Sequence, residues 1–202
     1  MKTMPDCIVA AGGCSSRMKN WKLSLPWGNL TIIEKVVGEA LDAGCRVVVA
    51  GGYRFSDLKG LFSGTPQSRR LSFHYSPGWE LGMDETVRSA LDCIASDCFF
   101  VVPADMPLIT AEDYRKLSSL YEGRNVSVMR PVFSGKPGHP VLLGPAAAET
   151  LRHSASGTPI RNILSGLETF MVSWDYDGVI MDIDTVESYS ELRPKIMKQV
   201  GD

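Results

Sequence analysis

Three short apolar runs, Cys7-Ile8-Val9-Ala10, Arg46-Val47-Val48-Val49-Ala50 and Cys98-Phe99-Phe100-Val101-Val102, punctuate the first half of the chain. They are too continuous for strands with one wet face and too short for helices. Between them, Ile32, Ile33, Val36, Val37, Ala40 and Leu41 recur at helical spacing, as do Val87, Ala90, Leu91 and Ile94. Such β-α-β alternation requires each strand to be covered above and below. It predicts an α/β fold of three layers, a mostly parallel sheet with helices on both faces and right-handed crossovers. In such a sheet, ligands gather at the carboxyl ends of the strands.

The second half is less regular. Val126-Ser127-Val128-Met129 and Val141-Leu142-Leu143 read as strands around the turn-rich Ser134-Gly135-Lys136-Pro137-Gly138, and Gly178 to Asp184 reads as a late strand. No repeat, low-complexity stretch or linker interrupts the 202 residues, of which 44% are apolar. One domain spanning 1–202 is expected, with a ligand-binding part over about 1–110 and a second part over about 111–202.

Charge narrows the function. With 21 basic and 23 acidic residues, the net charge of -2 offers no broad positive surface for nucleic acid or an anionic membrane. The opening Met1 to Asp6 is too short for a signal peptide and nowhere do eighteen apolar residues follow one another, so the expected location is the cytoplasm. The cysteines Cys7, Cys14, Cys45, Cys93 and Cys98 form no CxxC pair and are expected to be reduced.

Directly after the first run comes Ala11-Gly12-Gly13-Cys14-Ser15-Ser16-Arg17-Met18, with Lys22 four residues on. Two glycines let a ligand approach the main chain, and the N–H groups of Cys14, Ser15 and Ser16 are available to phosphate oxygens. Arg17 and Lys22 add a forked and a point charge, a pairing suited to polyphosphate. A solvated glycine turn ahead of a surface helix accounts equally well for these residues alone. The run lacks the GK[ST] ending of a P-loop, and no GxGxxG is present.

Asp105 leaves the third run between Pro103 and Pro107, where a parallel sheet holds catalytic groups. Facing a triphosphate, it is suited to Mg²⁺, which takes a few carboxylate oxygens together with substrate phosphate. It is a poor candidate for a helix cap, because Thr110-Ala111-Glu112-Asp113 is a better start nearby. In a late strand, Asp182 and Asp184 would project together while Ile183 packs inward. Two like charges side by side call for a cation or a basic partner, although Asp184 or Thr185 is also placed to cap the final helix.

His139 sits in Gly135-Lys136-Pro137-Gly138-His139-Pro140, where a constrained backbone aims its ring. His74 and His153 have no such setting. The segment from Ser76 to Thr86, with Trp79, Gly82 and Met83, combines turn residues with a helix start. It suits a lip for a second substrate, and Trp79 suits ordinary packing as well.

Taken in order, Ala11 to Met18, Trp21-Lys22, Leu25-Pro26-Trp27, Gly52-Tyr53-Arg54, Ser76-Pro77-Gly78-Trp79, Gly82-Met83, Asp105-Met106-Pro107, Pro137-Gly138-His139-Pro140 and Asp182-Ile183-Asp184-Thr185 resemble the signature of the MobA-like nucleotidyltransferases that modify molybdopterin. The GHP and DIDT elements resemble the cytidylyl branch.

The resemblance implies a Rossmann-like nucleotidyltransferase that joins CMP from Mg²⁺-CTP to the terminal phosphate of the molybdopterin cofactor, releasing pyrophosphate, with a molybdenum hydroxylase as a possible recipient. It assigns Ala11, Gly12, Gly13, Cys14, Ser15, Ser16, Arg17 and Lys22 to nucleotide binding. Arg17, Lys22 and Asp105 become catalytic residues, Asp105, Asp182 and Asp184 metal-binding residues, and Gly82, Met83, Gly138 and His139 acceptor-binding residues. The chain departs from the family at Lys19, commonly glycine, and at Val186, usually proline. Gly12 stands where cytidylyl enzymes carry alanine, and paired glycines are typical of guanylyl enzymes using GTP. Transfer to a sugar phosphate or an isoprenoid-precursor phosphate, or non-catalytic chaperoning of the cofactor, are the alternative readings.

Overall fold

The computed structural model describes residues 3–14, 18, 20–64 and 69–199, with side chains through 193. The three apolar runs become β1 (Asp6–Ala11), β4 (Val47–Gly51) and β6 (Phe99–Pro103), and their apolar side chains are buried. Enclosing each Val or Ile in this way is worth roughly 1.5–3 kcal/mol.

A two-stranded hairpin, β2 (Pro26–Trp27) and β3 (Leu30–Thr31), leads into α1 (Ile32–Ala43). The helix begins on a capping box: Glu34 N–H donates to Thr31 Oγ1, and Thr31 N–H donates to the Glu34 carboxylate at 2.7 Å. It ends at Gly44, whose φ of 106° belongs to the left-handed region. Then follow α2 (Phe55–Gly60), β5 (Leu71–Tyr75), α3 (Met83–Ser89) and α4 (Ala111–Tyr121), the last started by the expected capping box of Thr110 and Asp113. The second half supplies β7 (Val128–Phe133), β8 (Lys136–Pro137), β9 (Val141–Leu143), α5 (Pro145–Arg152), α6 (Ile160–Leu164), β10 (Thr169–Ser173) and α7 (Val186–Gln199).

One sheet runs β10-β7-β9-β6-β1-β4-β5, with β8 hooked onto β7. The strands β6, β1, β4 and β5 are mutually parallel, and β9 runs against both of its neighbours. Cys7 and Val9 pack with Ile33, Val36 and Val37 of α1 and Tyr114 and Leu117 of α4. Ile8 and Ala10 pack with Val87 of α3 and Ala147, Ala148 and Leu151 of α5. The expected three layers follow from this alternation. Among the described residues no helix is long and apolar enough to cross a membrane, and no disulfide forms.

Three expectations need correction. Residues 178–184 form no strand: a 3₁₀ turn covers Asp177–Ile180, and an extended segment outside the sheet follows. Its backbone is spent elsewhere, since Val179 O accepts from His139 N–H at 2.7 Å and Ile183 N–H donates to Asp105 O at 3.0 Å. The strand read at 126–129 runs later, across Val128–Phe133. The helical period around Val87 breaks at Ala90 into a 3₁₀ turn over Leu91–Cys93.

A third apolar cluster of Trp27, Ile32, Leu108, Ile183 and Leu192 pins the hairpin, the start of α1 and α7 around the segment carrying Asp182 and Asp184. That cluster, rather than a strand, carries both carboxylates to the edge of the sheet.

Candidate active site

The carboxyl ends of β1 and β6 open into a cavity of about 110 Å³ bordered by Gly12, Gly13, Lys22, Met83, Ala104 and Asp105. No described residue stands where a Gly13 side chain would, so among the described residues its main chain is open to a ligand. Gly12 is glycine for a different reason: a Cβ there would overlap Thr86 Oγ1 of α3. Thr86 is fully buried and donates to Gly82 O at 3.2 Å. Ala11 is buried in β1 and Cys14 is exposed. Ser15, Ser16, Arg17 and Lys19 lie outside the described residues.

Lys22 opens a short 3₁₀ turn, Lys22–Ser24, next to the buried Trp21, over which Arg54 stacks at 5.3 Å. Its ammonium reaches across the chain, donating to Asp105 Oδ2 and, at 2.9 Å, to Asp184 Oδ1. Burial alone would lower the Lys22 pKa, but the two carboxylates outweigh it and hold it above that of an ordinary lysine. Asp182 lies in the same field. Burial, then the charges of Asp184 and Asp105, raise its carboxyl above the ordinary value, with Lys22 acting in the opposite direction.

The final helix does not use Asp184 as its cap. Thr185 Oγ1 accepts from Ser188 N–H, and Ser188 Oγ accepts from the N–H groups of Asp184 and Thr185, each at 3.1 Å. The Asp184 side chain is left to the ion pair.

Asp105 Oδ1 is buried without a hydrogen-bond partner among the described residues. Three carboxylates, Asp105, Asp182 and Asp184, thus gather around the Lys22 ammonium. No group of three His, Cys, Asp or Glu side chains already gathers in metal-binding geometry among the described residues. The donor set nevertheless fits Mg²⁺, because that ion takes one or two carboxylates and completes its shell with phosphate and water.

The acceptor-side residues converge from the second half. Since β9 runs antiparallel, its amino end lies at the same edge as the carboxyl ends of β1 and β6. A Cβ on Gly138 would overlap Val179 O, so a glycine is required there. His139 Nδ1–H donates to Val101 O at 3.3 Å, which leaves Nε2 as an acceptor. Burial, reinforced by the charge of Arg130, pushes the His139 pKa down to about 4, so the ring is neutral near pH 7. Gly82 takes φ 105° ahead of Met83, which is 43% exposed. Met83 and Asp105 also border a second cavity of about 280 Å³, with Gly138, His139 and Asp182. The lip carries Trp79, whose ring sits where a Gly52 side chain would stand and lies 5.8 Å from Tyr53.

One charged residue near His139 was not expected. Arg130 donates through Nε and Nη2 to Gly138 O at 3.2 and 2.9 Å. Its sequence signal is a lone arginine inside the apolar run Val128-Met129-Arg130-Pro131-Val132.

A family model described as the MobA-like NTP transferase domain matches residues 7–170. The chain belongs to that family. It is therefore a nucleotidyltransferase. It is 29% identical over 184 residues to the molybdenum cofactor cytidylyltransferase of Escherichia coli (strain K12), covering 91% of this chain and 93% of that one. It is 31% identical over 120 residues to the molybdenum cofactor guanylyltransferase of Xanthomonas euvesicatoria pv. vesicatoria (strain 85-10), covering 59% and 57%. A nucleotidyl transferase from Methanothermobacter thermautotroptrophicus shares the fold, with a TM-score of 0.82 at 19% identity over 98% of this chain and all of that one.

Proposed function

We propose that this nucleotidyltransferase transfers CMP from Mg²⁺-CTP to the terminal phosphate of the molybdopterin cofactor and releases pyrophosphate. The observation that carries the reading is the clamp of Lys22 across Asp105 and Asp184 beside the Gly12–Gly13 cavity. The choice of CTP rests on the cytidylyltransferase relative, similar over nine-tenths of both chains, and on the GHP and DIDT elements. GTP is the second reading, favoured by the guanylyltransferase relative. The paired glycines weigh little in its favour, since Thr86 gives Gly12 a packing reason of its own.

In this reading the triphosphate lies along Gly12, Gly13 and the Cys14 to Arg17 stretch, with Lys22 beside the α-phosphate. Asp105 and Asp182 hold Mg²⁺, with Asp184 supporting them through Lys22. When bound, the ion neutralises phosphate charge and draws electron density from the α-phosphorus. Gly82, Met83, Gly138 and His139 line the path along which the acceptor's phosphate approaches. One of its oxygens forms the bond to the α-phosphorus while the bond from the α-phosphorus to the bridging oxygen of the β-phosphate breaks in line. Pyrophosphate carries that electron pair away. Both oxygens are ionised, so neither a proton donor nor a protein nucleophile is required. The residues contribute alignment and charge, the two terms expected to dominate when anion attacks anion. His139, being neutral, lines the path without adding charge. The product is then available to a molybdenum hydroxylase.

Incubation of the protein with Mg²⁺, molybdenum-loaded cofactor and each NTP in turn tests this directly. Pyrophosphate release with CTP alone is expected. Release with GTP alone replaces the base assignment, and no release with any NTP overturns the reading.

A further inference from the structure

Beyond His139 and Met83 a further cavity of about 260 Å³ opens between β6, β9 and the helices α3 and α6. Val101, Val141, Leu143, Ile160 and Leu164 make its walls aliphatic. Arg130 lines it as well. Two of the guanidinium's five donors are committed to Gly138 O, and the other N–H groups meet no hydrogen-bonding partner among the described residues. Asp84 and Arg161 line it too, Asp84 accepting from Ile160 N–H at 3.1 Å, and no ion pair joins Asp84 to Arg130 among the described residues.

A half-buried guanidinium in a largely aliphatic setting loses part of its hydration, and burial accordingly lowers the Arg130 pKa. Such a group is satisfied by a ligand that presents acceptors. Aliphatic walls favour the apolar face of a ring. The volume lies just under the roughly 300 Å³ at which small-molecule sites begin, enough for one fused ring system and too small for a nucleoside triphosphate. His139 borders both this space and the cavity that runs to Asp105.

We infer that this cavity seats the fused heteroaromatic ring of the acceptor, with Arg130 donating to a ring carbonyl. The inference takes the acceptor's identity from the proposed function. Arg130 supplies donors and His139 Nε2 an acceptor, the complement of the C=O and N–H of a cyclic amide. An arginine can only donate, so a ring carrying an amino group in place of that carbonyl is rejected.

The test is fluorescence titration of the full chain with 6-hydroxymethylpterin and with its 2,4-diamino analogue, without nucleotide. The carbonyl-bearing ring is expected to bind at least about ten-fold more tightly. Arg130→Met should erase that preference, and Leu164→Trp, which fills the cavity and keeps the arginine, should abolish binding of both. The second variant decides the matter if the first does not fold. Failure of the pterin to bind, an unchanged preference in Arg130→Met, or displacement of the pterin by Mg²⁺-CTP would overturn the inference. Release of pyrophosphate with molybdopterin despite absent pterin binding would sink the cavity and leave the proposed function standing. Arginine-dependent pterin binding without nucleotidyl transfer would do the reverse.

Discussion

At the scale of single residues, the site depends on how the Lys22 ammonium is shared. Lys22 neutralises part of the charge of Asp105 and Asp184, and its removal leaves acidic groups facing the incoming phosphates. Lys22→Ala is predicted to raise the KM for nucleotide by about ten-fold or more while changing the KM for the acceptor little, as steady-state pyrophosphate release would report. An unchanged nucleotide KM would remove Lys22 from the phosphate site. Gly12 makes an independent prediction. An alanine there meets Thr86 Oγ1, so Gly12→Ala should cost about 1–3 kcal/mol in urea unfolding. Adding Thr86→Ala should return most of that loss, giving a favourable coupling in the double-mutant cycle.

At the scale of elements, the amino ends of three neighbouring strands meet at one carboxylate. Asp6 opens β1 and accepts from Arg46, which precedes β4, through Nε at 3.1 Å and Nη2 at 2.6 Å. It also accepts from the Ala95 and Ser96 N–H groups ahead of β6, at 2.8 and 3.2 Å. Burial alone would raise its pKa, but Arg46 and those N–H groups outweigh it and hold it below the ordinary 3.8. The stabilisation is therefore complete above that value and is lost as pH falls through the folded pKa. Asp6→Asn should cost about 2–4 kcal/mol near pH 6 and clearly less near pH 3. A difference independent of pH would contradict the assignment.

Which elements were legible follows from burial. β1, β4 and β6 are covered on both faces and so appear as uninterrupted apolar runs. β5 and β10 lie at the sheet edges with no fully buried residue, and neither stands out from its surroundings. Residues 178–184 imitate a strand because Val179 and Ile183 are both buried, yet they enter different apolar clusters and pair with no strand. Asp105 stood out as a carboxylate at the end of a buried strand, and Lys22 as a cation soon after the paired glycines. Arg130 was not, because the strand that holds it was read as ending at Met129. Gly12 was legible as glycine but not for its reason, which lies in Thr86, distant in the chain.

At the scale of the whole molecule, the sheet passes without a break from β5 through β1 and β6 to β10, with β9 inserted between β6 and β7. The chain is accordingly expected to unfold in one cooperative calorimetric transition, and two resolved transitions would divide it. Continuity also explains how residues separated by much of the sequence meet at one edge: Lys22 joins Asp105 and Asp184, and Asp105 and His139 border one cavity. The central claim is that this edge of the sheet joins two phosphates around a metal held by Asp105, whose buried Oδ1 has no hydrogen-bond partner among the described residues. The most direct measurement is Mg²⁺-dependent pyrophosphate release by Asp105→Asn beside the unsubstituted protein, with thermal unfolding of both. The account predicts a loss of about a hundred-fold or more in kcat with the melting temperature retained; near-normal release from Asp105→Asn would contradict it.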